Sequence, residues 1–195
     1  MRAVISLFYE HTDIHYTLMN KSPAIRIASV NDAPQVSRLL RSAMLTYCAD
    51  SGISSSMLEA LTESVESVAD RISKQTCLVA ESEGTIIGSI CIKECPNPMV
   101  YMFSDKTCAY LENLKKAFYI SRFSVDEKFR KTGLGIDLMA KAIELATESG
   151  ADCILLHSAA TNKNMVEFYA KRGFELIDSE NSRGYMRGLF ANKIR

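Results

Sequence analysis

A chain of 195 residues, 47% of them apolar, is long enough to bury one ordinary core. Its 23 Lys and Arg balance 23 Asp and Glu, and no basic run exceeds two residues, which argues against nucleic acid or an anionic membrane as partner. Apolar stretches fall short of the ~20 residues that span a bilayer, so the expected partner is a small molecule or a short protein segment.

Residues 1–24 carry weak periodicity and read as an N-terminal extension. Their basic then apolar start is interrupted by Glu10, His11 and Asp13 and lacks a small-residue cleavage site, so it reads as non-secretory and the protein as cytoplasmic. Ordered patterning begins near Ile25, with Met19 as an alternative start, and residues 25–195 read as one domain. Ile25 to Ala28 alternates like a short strand. Asp32, Pro34 and Gln35 then suggest a capped helix start, and Val36, Leu39, Leu40, Ala43, Met44 and Tyr47 mark one helical face. A second helix is expected from a capping box at Ser56 and Glu59, with Leu58, Leu61, Val65, Val68 and Ile72 as its stripe; both stripes read as core.

Thr76 to Ser82 and Thr85 to Lys93 are β-rich and flank Glu83-Gly84, a tight hairpin signal. The stretch from Cys95 to Lys116 is long for a connection. It reads either as a wall of the substrate site or as a surface excursion with a short helix near Tyr110 to Lys116. Phe118 to Val125 reads as a strand, Gly133 to about Ser149 as a helix, Cys153 to Leu156 as a buried strand, and Asn162 to Arg172 as a helix. Glu175 to Ile177 and Gly184 to Leu189 close the chain as a hairpin. The order β-α-α-β-β-β-α-β-α-β-β describes a mixed α/β sheet.

Six cysteines contain no C-x-x-C pair and are expected as reduced thiols. Cys91 and Cys95 lack the second ligand pair of a structural zinc site, and no metal is expected.

The chemically most informative segment is Arg130-Lys131-Thr132-Gly133-Leu134-Gly135, set between a strand and an amphipathic helix. Glycines there let the main chain approach an anion, and the N–H groups of a first helical turn, together with the helix dipole, favour a pyrophosphate. The spacing lacks the third glycine of a dinucleotide fingerprint and the G-K-[ST] of a P-loop.

With Phe123-Ser124-Val125-Asp126 before this turn, and Asn162 followed by Phe168-Tyr169-Ala170-Lys171-Arg172-Gly173-Phe174 after it, residues 25 to 190 resemble the GCN5-related N-acetyltransferases, the GNAT superfamily. The resemblance implies a GNAT-like fold, a mostly antiparallel sheet with a splayed parallel pair in the middle, and acetyl-CoA as co-substrate. It implies that Phe123, Ser124 and Val125 line the pantetheine arm. It also implies that Arg130, Lys131, Thr132, Gly133, Leu134 and Gly135 bind the pyrophosphate, with Asn162 as a further cofactor contact. Direct attack by a primary amine of a small molecule or peptide, in a ternary complex, is the implied reaction. Tyr169 stands at the general-acid position, and the N–H of Val125 is the expected donor to the carbonyl oxygen.

For the base, His157 is the candidate, since an imidazole with a reference pKa near ~6.5 suits proton transfer at neutral pH. Tyr119 occupies a position where histone-modifying relatives carry glutamate, which argues against their mechanism. Glu81, Glu94, Glu112 and Asp126 are acidic side chains of the kind that attract a cationic amine, although solvation is the simpler role for each. The alternative function is a catalytically inactive CoA-binding regulatory or interaction domain on the same scaffold. Oligomeric state, a homodimer included, stays open.

Overall fold

The computed structural model describes residues 22–181 and 183–194. The expected extension over residues 1–24 and the alternative start at Met19 therefore fall almost wholly outside the described residues. A single seven-stranded sheet organises the rest, in the order β1-β2-β3-β4-β5-β7-β6. Its strands are β1 (Ala24–Ile27), β2 (Thr76–Ser82), β3 (Thr85–Cys95), β4 (Ala117–Val125), β5 (Cys153–Ala159), β6 (Glu175–Glu180) and β7 (Arg187–Lys193). Every neighbouring pair is antiparallel except β4 with β5. Five helices accompany them: α1 (Ala33–Ser51), α2 (Val65–Lys74), α3 (Asp105–Glu112), α4 (Leu134–Glu148) and α5 (Lys163–Ala170). Among the described residues no helix is long and apolar enough to cross a membrane.

The two faces of the sheet carry separate cores. On one, α4 lays Leu134, Leu138, Met139, Ala142 and Ala146 against Leu78, Ile90, Ile92, Ile120, Ile154 and Leu156. On the other, Val36, Leu39 and Leu40 of α1 and Val68 and Ile72 of α2 cover Cys77, Val79, Ile86 and Cys91. Each fully buried aliphatic side chain contributes roughly 1.5–3 kcal/mol, so the helical stripes fix which face of each helix turns inward.

Two capping expectations are corrected. The α2 helix begins at Val65 rather than near Ser56: Ser64 is its N-cap, accepting from the Ser67 N–H at 3.2 Å, and residues 55–61 form two short single turns instead. Asp32 does not cap α1 with its side chain. It accepts from the Ser29 N–H at 2.7 Å and pairs with Arg26. Gln35 reaches the β2–β3 hairpin, where its Oε1 accepts from the Ile86 N–H at 3.1 Å and its Nε2 donates to the Gly84 carbonyl at 3.3 Å. That hairpin turns through Glu83 (φ 51°) and Gly84 (φ 74°), the left-handed pair of a tight two-residue loop.

The 95–116 segment contains α3, the short helix weighed near Tyr110 to Lys116, displaced to Asp105–Glu112. Its Tyr101, Phe103, Tyr110 and Leu111 pack with Leu155, Tyr119 and Ile177 at one end of the sheet. Tyr101 stacks on Tyr119 with centroids 4.3 Å apart.

Candidate active site

The parallel pair is short. Ala117 to Ile120 pair with Cys153 to Leu156, and pairing stops there, while β4 continues against β3 to Val125 and β5 continues against β7 to Ala159. Both carboxylate oxygens of Asp152 clamp the closed end, accepting from the Lys116 N–H at 2.7 Å and the Lys115 N–H at 2.9 Å. At the open end a bulge displaces β4. Two residues of β3, Ser89 and Cys91, bracket a stretch that faces Ser121 to Ser124, and Arg122 takes φ 53° within it.

The two strand edges facing this gap differ. On β5, the Ala159 N–H donates to the Tyr47 hydroxyl at 2.6 Å, so α1 covers that edge. On β4, the Asp126 N–H donates to the Ile87 carbonyl on the β3 side at 2.8 Å. Because successive residues alternate between edges, Val125 and Phe123 present their backbone groups to the gap. The Val125 carbonyl accepts from Arg130 Nε at 3.2 Å.

Immediately beyond stands the glycine turn. Lys131 (φ 64°) and Gly133 (φ 101°) bend the chain into α4, whose first bonds run from the Ile136 and Asp137 N–H groups to the Gly133 carbonyl at 2.7 and 3.1 Å. The N–H groups just before them have no carbonyl one turn back. A side chain at Gly135 would place its Cβ 3.3 Å from the Phe123 ring, so glycine lets this first turn sit directly against β4. Phe123 in turn stacks on Phe168 at 5.4 Å, and the Arg172 guanidinium lies 3.5 Å above Phe168.

These elements border one cleft of about 1180 Å³, lined by Phe123, Ser124, Val125, Arg130, Lys131, Gly133, Gly135, His157, Asn162 and Tyr169 among others. Thr132 and Leu134 are not among the lining residues: the Thr132 hydroxyl donates to the Phe129 carbonyl at 2.8 Å, and the Leu134 side chain is core. Asn162 caps α5, its Oδ1 accepting from the Met165 N–H at 3.1 Å and its Nδ2 donating to Ser51 Oγ at 2.9 Å. Its side chain is thereby engaged in joining α5 to α1.

Tyr169 is 6% exposed, packed among Phe168, Phe174 and Phe190. Burial pushes its phenol pKa upward, and its hydroxyl meets Ser158, which lies 3.1 Å from the Tyr47 hydroxyl. His157 receives different surroundings. Its Nδ1 is 2.9 Å from the Tyr119 hydroxyl, and Tyr101 and Phe103 press on the ring. Burial, reinforced by the positive charges of Arg187 and Arg183, lowers its pKa to about 3. The ring is therefore neutral at physiological pH. Three cleft-lining residues carry buried polar atoms without a partner, His157 Nε2, Ser124 Oγ and Arg172 Nε.

Several residues of the cleft were not singled out in the sequence. Met44 and Tyr47, read as core, line it, because α1 runs past the edge of the sheet core and presents its last turns to the gap. Arg122 also lines it and is held by Glu63, Nε to Oε2 3.1 Å, while Glu63 pairs with Arg71 as well. Glu63 falls within a stretch read as helix, and only the break before α2 turns it inward. By contrast the acids weighed as amine attractors are elsewhere. Glu81 pairs with Arg26, Glu94 with Lys116, Glu112 accepts from Cys108, and Asp126 accepts from the Lys128 N–H. Among the described residues no group of three or more His, Cys, Asp or Glu side chains is placed to hold a metal ion.

Known proteins share parts of this sequence and its fold. Over 88 residues the chain is 34% identical to N-alpha-acetyltransferase 30 of Homo sapiens, covering 44% of this chain and 24% of that protein. Over 82 residues it is 35% identical to an uncharacterized N-acetyltransferase of Methanocaldococcus jannaschii, covering 41% and 35%. The alignments thus span about a quarter to a third of these relatives' length. In fold it is similar to the PaiA N-acetyltransferase of Thermoplasma acidophilum, solved in complex with coenzyme A, at TM-score 0.69 and 20% identity over 89% of this chain and 99% of that one. The NatC complex, solved with Gag peptide and CoA, contains a chain similar at TM-score 0.66 and 14% identity, over 90% and 100%. The Acetyltransferase (GNAT) family profile matches residues 44–174, the interval that holds the parted strands, the glycine turn and Tyr169. On that match, which covers most of the chain, this protein belongs to the GNAT acetyltransferase family.

Proposed function

We propose that the protein is an acetyl-CoA-dependent N-acetyltransferase acting on a primary amine. The observation that carries this reading is the parting of β4 from β5 after Ile120 and Leu156, beside a glycine turn that offers unbonded N–H groups. The residues present fit the co-substrate: an exposed β4 edge at Phe123 and Val125 suits an extended amide-containing arm. Arg130, Lys131 and the N-terminus of α4 suit a pyrophosphate, and the unpartnered Ser124 Oγ lies between them in the strand.

In this reading the N–H groups of residues 131–135 hold the pyrophosphate, and Thr132 and Leu134 act through their backbone alone. Asn162 is a positioning residue that fixes the start of α5. The Val125 N–H donates to the carbonyl oxygen as negative charge develops there. Tyr169, kept protonated by burial, gives its proton to the departing thiolate. His157 is too weak a base to strip a free ammonium at neutral pH. It accepts the amine proton once the carbon–nitrogen bond is forming, when that nitrogen has become far more acidic. With hydrogen on Nδ1, shared with the Tyr119 oxygen, Nε2 is the accepting atom.

The α-amine of a peptide N-terminus is the first acceptor to test, supported by the similarity to N-alpha-acetyltransferase 30 and by a cleft lining that combines Met57, Leu58 and Tyr185 with Asp50 and Glu59. The test is mass-spectrometric: protein, acetyl-CoA and a pool of peptides, amino acids, polyamines and aminoglycosides, read for acetylated product and free CoA. An acetylated peptide is the expected result. Binding of CoA with no acetyl transfer to any amine would replace this reading with a regulatory CoA-binding domain.

A further inference from the structure

Away from the cleft machinery, two cysteines face each other across a strand pair. Cys77 of β2 and Cys91 of β3 are register partners, flanked by the pairs Thr76 with Ile92 and Leu78 with Ile90. Directly opposed residues of antiparallel strands have Cα atoms roughly 4.5 or 5.5 Å apart, and both spacings fall in the ~4.4–6.8 Å range of disulfides. Both side chains point to the α1–α2 face, close enough for each thiol to shift the titration of the other. The other described cysteines have no such partner. Cys95 and Cys153 both oppose Ala117, on opposite sides of β4, Cys48 lies on α1, and Cys108 bonds Glu112.

We infer that Cys77 and Cys91 are an oxidisable dithiol, a modification site that closes to an intrachain disulfide with a peroxide as oxidant. The geometry is supported by charge. Arg71 and Arg122 both act on this pair, and Glu63, which bonds each of them, balances one of the two positive charges. That leaves cationic excess beside the sulfurs, which favours a thiolate. The Cys91 thiol and Arg71 hold the Cys77 pKa below the usual thiol value, whereas burial and its neighbour raise that of Cys91. Cys77 is accordingly the attacking sulfur. Its thiolate forms a bond to one peroxide oxygen as the O–O bond breaks. The hydroxide released takes up a proton, giving a sulfenic acid and water. The Cys91 sulfur then attacks the sulfenic sulfur: the S–S bond forms, the S–O bond breaks, and the oxygen leaves as water with the Cys91 proton and the sulfenic hydrogen. Two thiols lose two electrons and one peroxide becomes two waters.

Both cysteines lie on one tryptic peptide, residues 75–93, which makes the reaction directly readable. The full-length protein is treated with hydrogen peroxide, quenched, unfolded in excess iodoacetamide without reductant, digested and weighed. The expected product is the 75–93 peptide lacking both alkyl groups and lighter than the reduced peptide by two hydrogens, with the two alkyl groups restored by prior reduction. In Cys77→Ser, Cys91 should remain alkylatable after the same treatment. The inference is overturned if the wild-type peptide stays doubly alkylated at peroxide doses that oxidise exposed methionines. It is equally overturned if the cysteines proceed to sulfinic or sulfonic acids without a disulfide. The wild-type mapping decides the matter even if the variant folds poorly.

Discussion

The Tyr119 hydroxyl lies 2.9 Å from Nδ1 of His157, joining the adjacent strands β4 and β5 through their side chains at the base of the cleft. With Tyr101 and Phe103 packed around it, the imidazole is held in one orientation and in its neutral form.

A pH dependence of stability follows. His157 has a folded pKa near 3 against 6.5 unfolded, so between those values the unfolded chain binds a proton that the folded one does not. This contribution is fully present above about pH 6.5 and is lost as pH falls towards 3, to a maximum of about 5 kcal/mol. Urea midpoints at pH 7 and pH 4.5 should fall more for the wild type than for His157→Gln. Equal losses would show that the ring titrates normally. His157→Gln should also lower kcat by ~10²-fold while leaving the pH position of the kcat/KM limb to the substrate amine.

Tyr169→Phe keeps the ring packing against Phe174 and Phe190 and removes only the hydroxyl. Acetyl-CoA binding measured by calorimetry should be retained, and turnover should drop by ~10²–10⁴-fold. Unchanged turnover would mean that the leaving thiolate takes its proton from another group.

Gly133→Ala tests the turn. No atom lies within 4 Å of the added Cβ, so the cost is confined to the backbone at φ 101°. A strain of roughly 1–3 kcal/mol should distort the N–H cradle, raising the acetyl-CoA KM by about 10-fold with a smaller change in kcat. A KM equal to that of wild type would place the pyrophosphate elsewhere.

Glu63→Gln leaves Arg71 and Arg122 without their shared carboxylate, at side-chain exposures of 13% and 26%. Loss of one partner from a largely buried ion group costs about 3 kcal/mol, to be read from chemical denaturation. Because Arg122 occupies the β4 bulge, the acceptor KM should rise as well. A variant as stable as wild type would show that the pair contributes no net energy.

Much of the fold was legible because it rests on local chemistry. Glu83-Gly84 announces its hairpin through left-handed φ values, Val36 to Ala43 buries the periodic face, and the strand, glycine turn and helix from Phe118 to Ser149 form within a residue or two of their expected limits. The start of α2 was misread because Ser56-Glu59 and Ser64 offer competing caps, and only packing against β2 and β3 chooses Ser64. The short helix expected near Tyr110 to Lys116 forms as α3 but begins at Asp105, because its eight residues carry too short a stripe to fix its limits.

By itself the sequence determined the glycine turn that opens α4 and the helix that carries Tyr169, since both depend on residues adjacent in the chain and on glycine's freedom of φ. Tertiary structure alone decided that β4 and β5 part after four paired residues, that Tyr47 covers the β5 edge while the β4 edge stays open, that His157 is neutral, and that Cys77 meets Cys91. Strand register, burial and the field of distant arginines arise between segments far apart in the chain, and no local pattern encodes them.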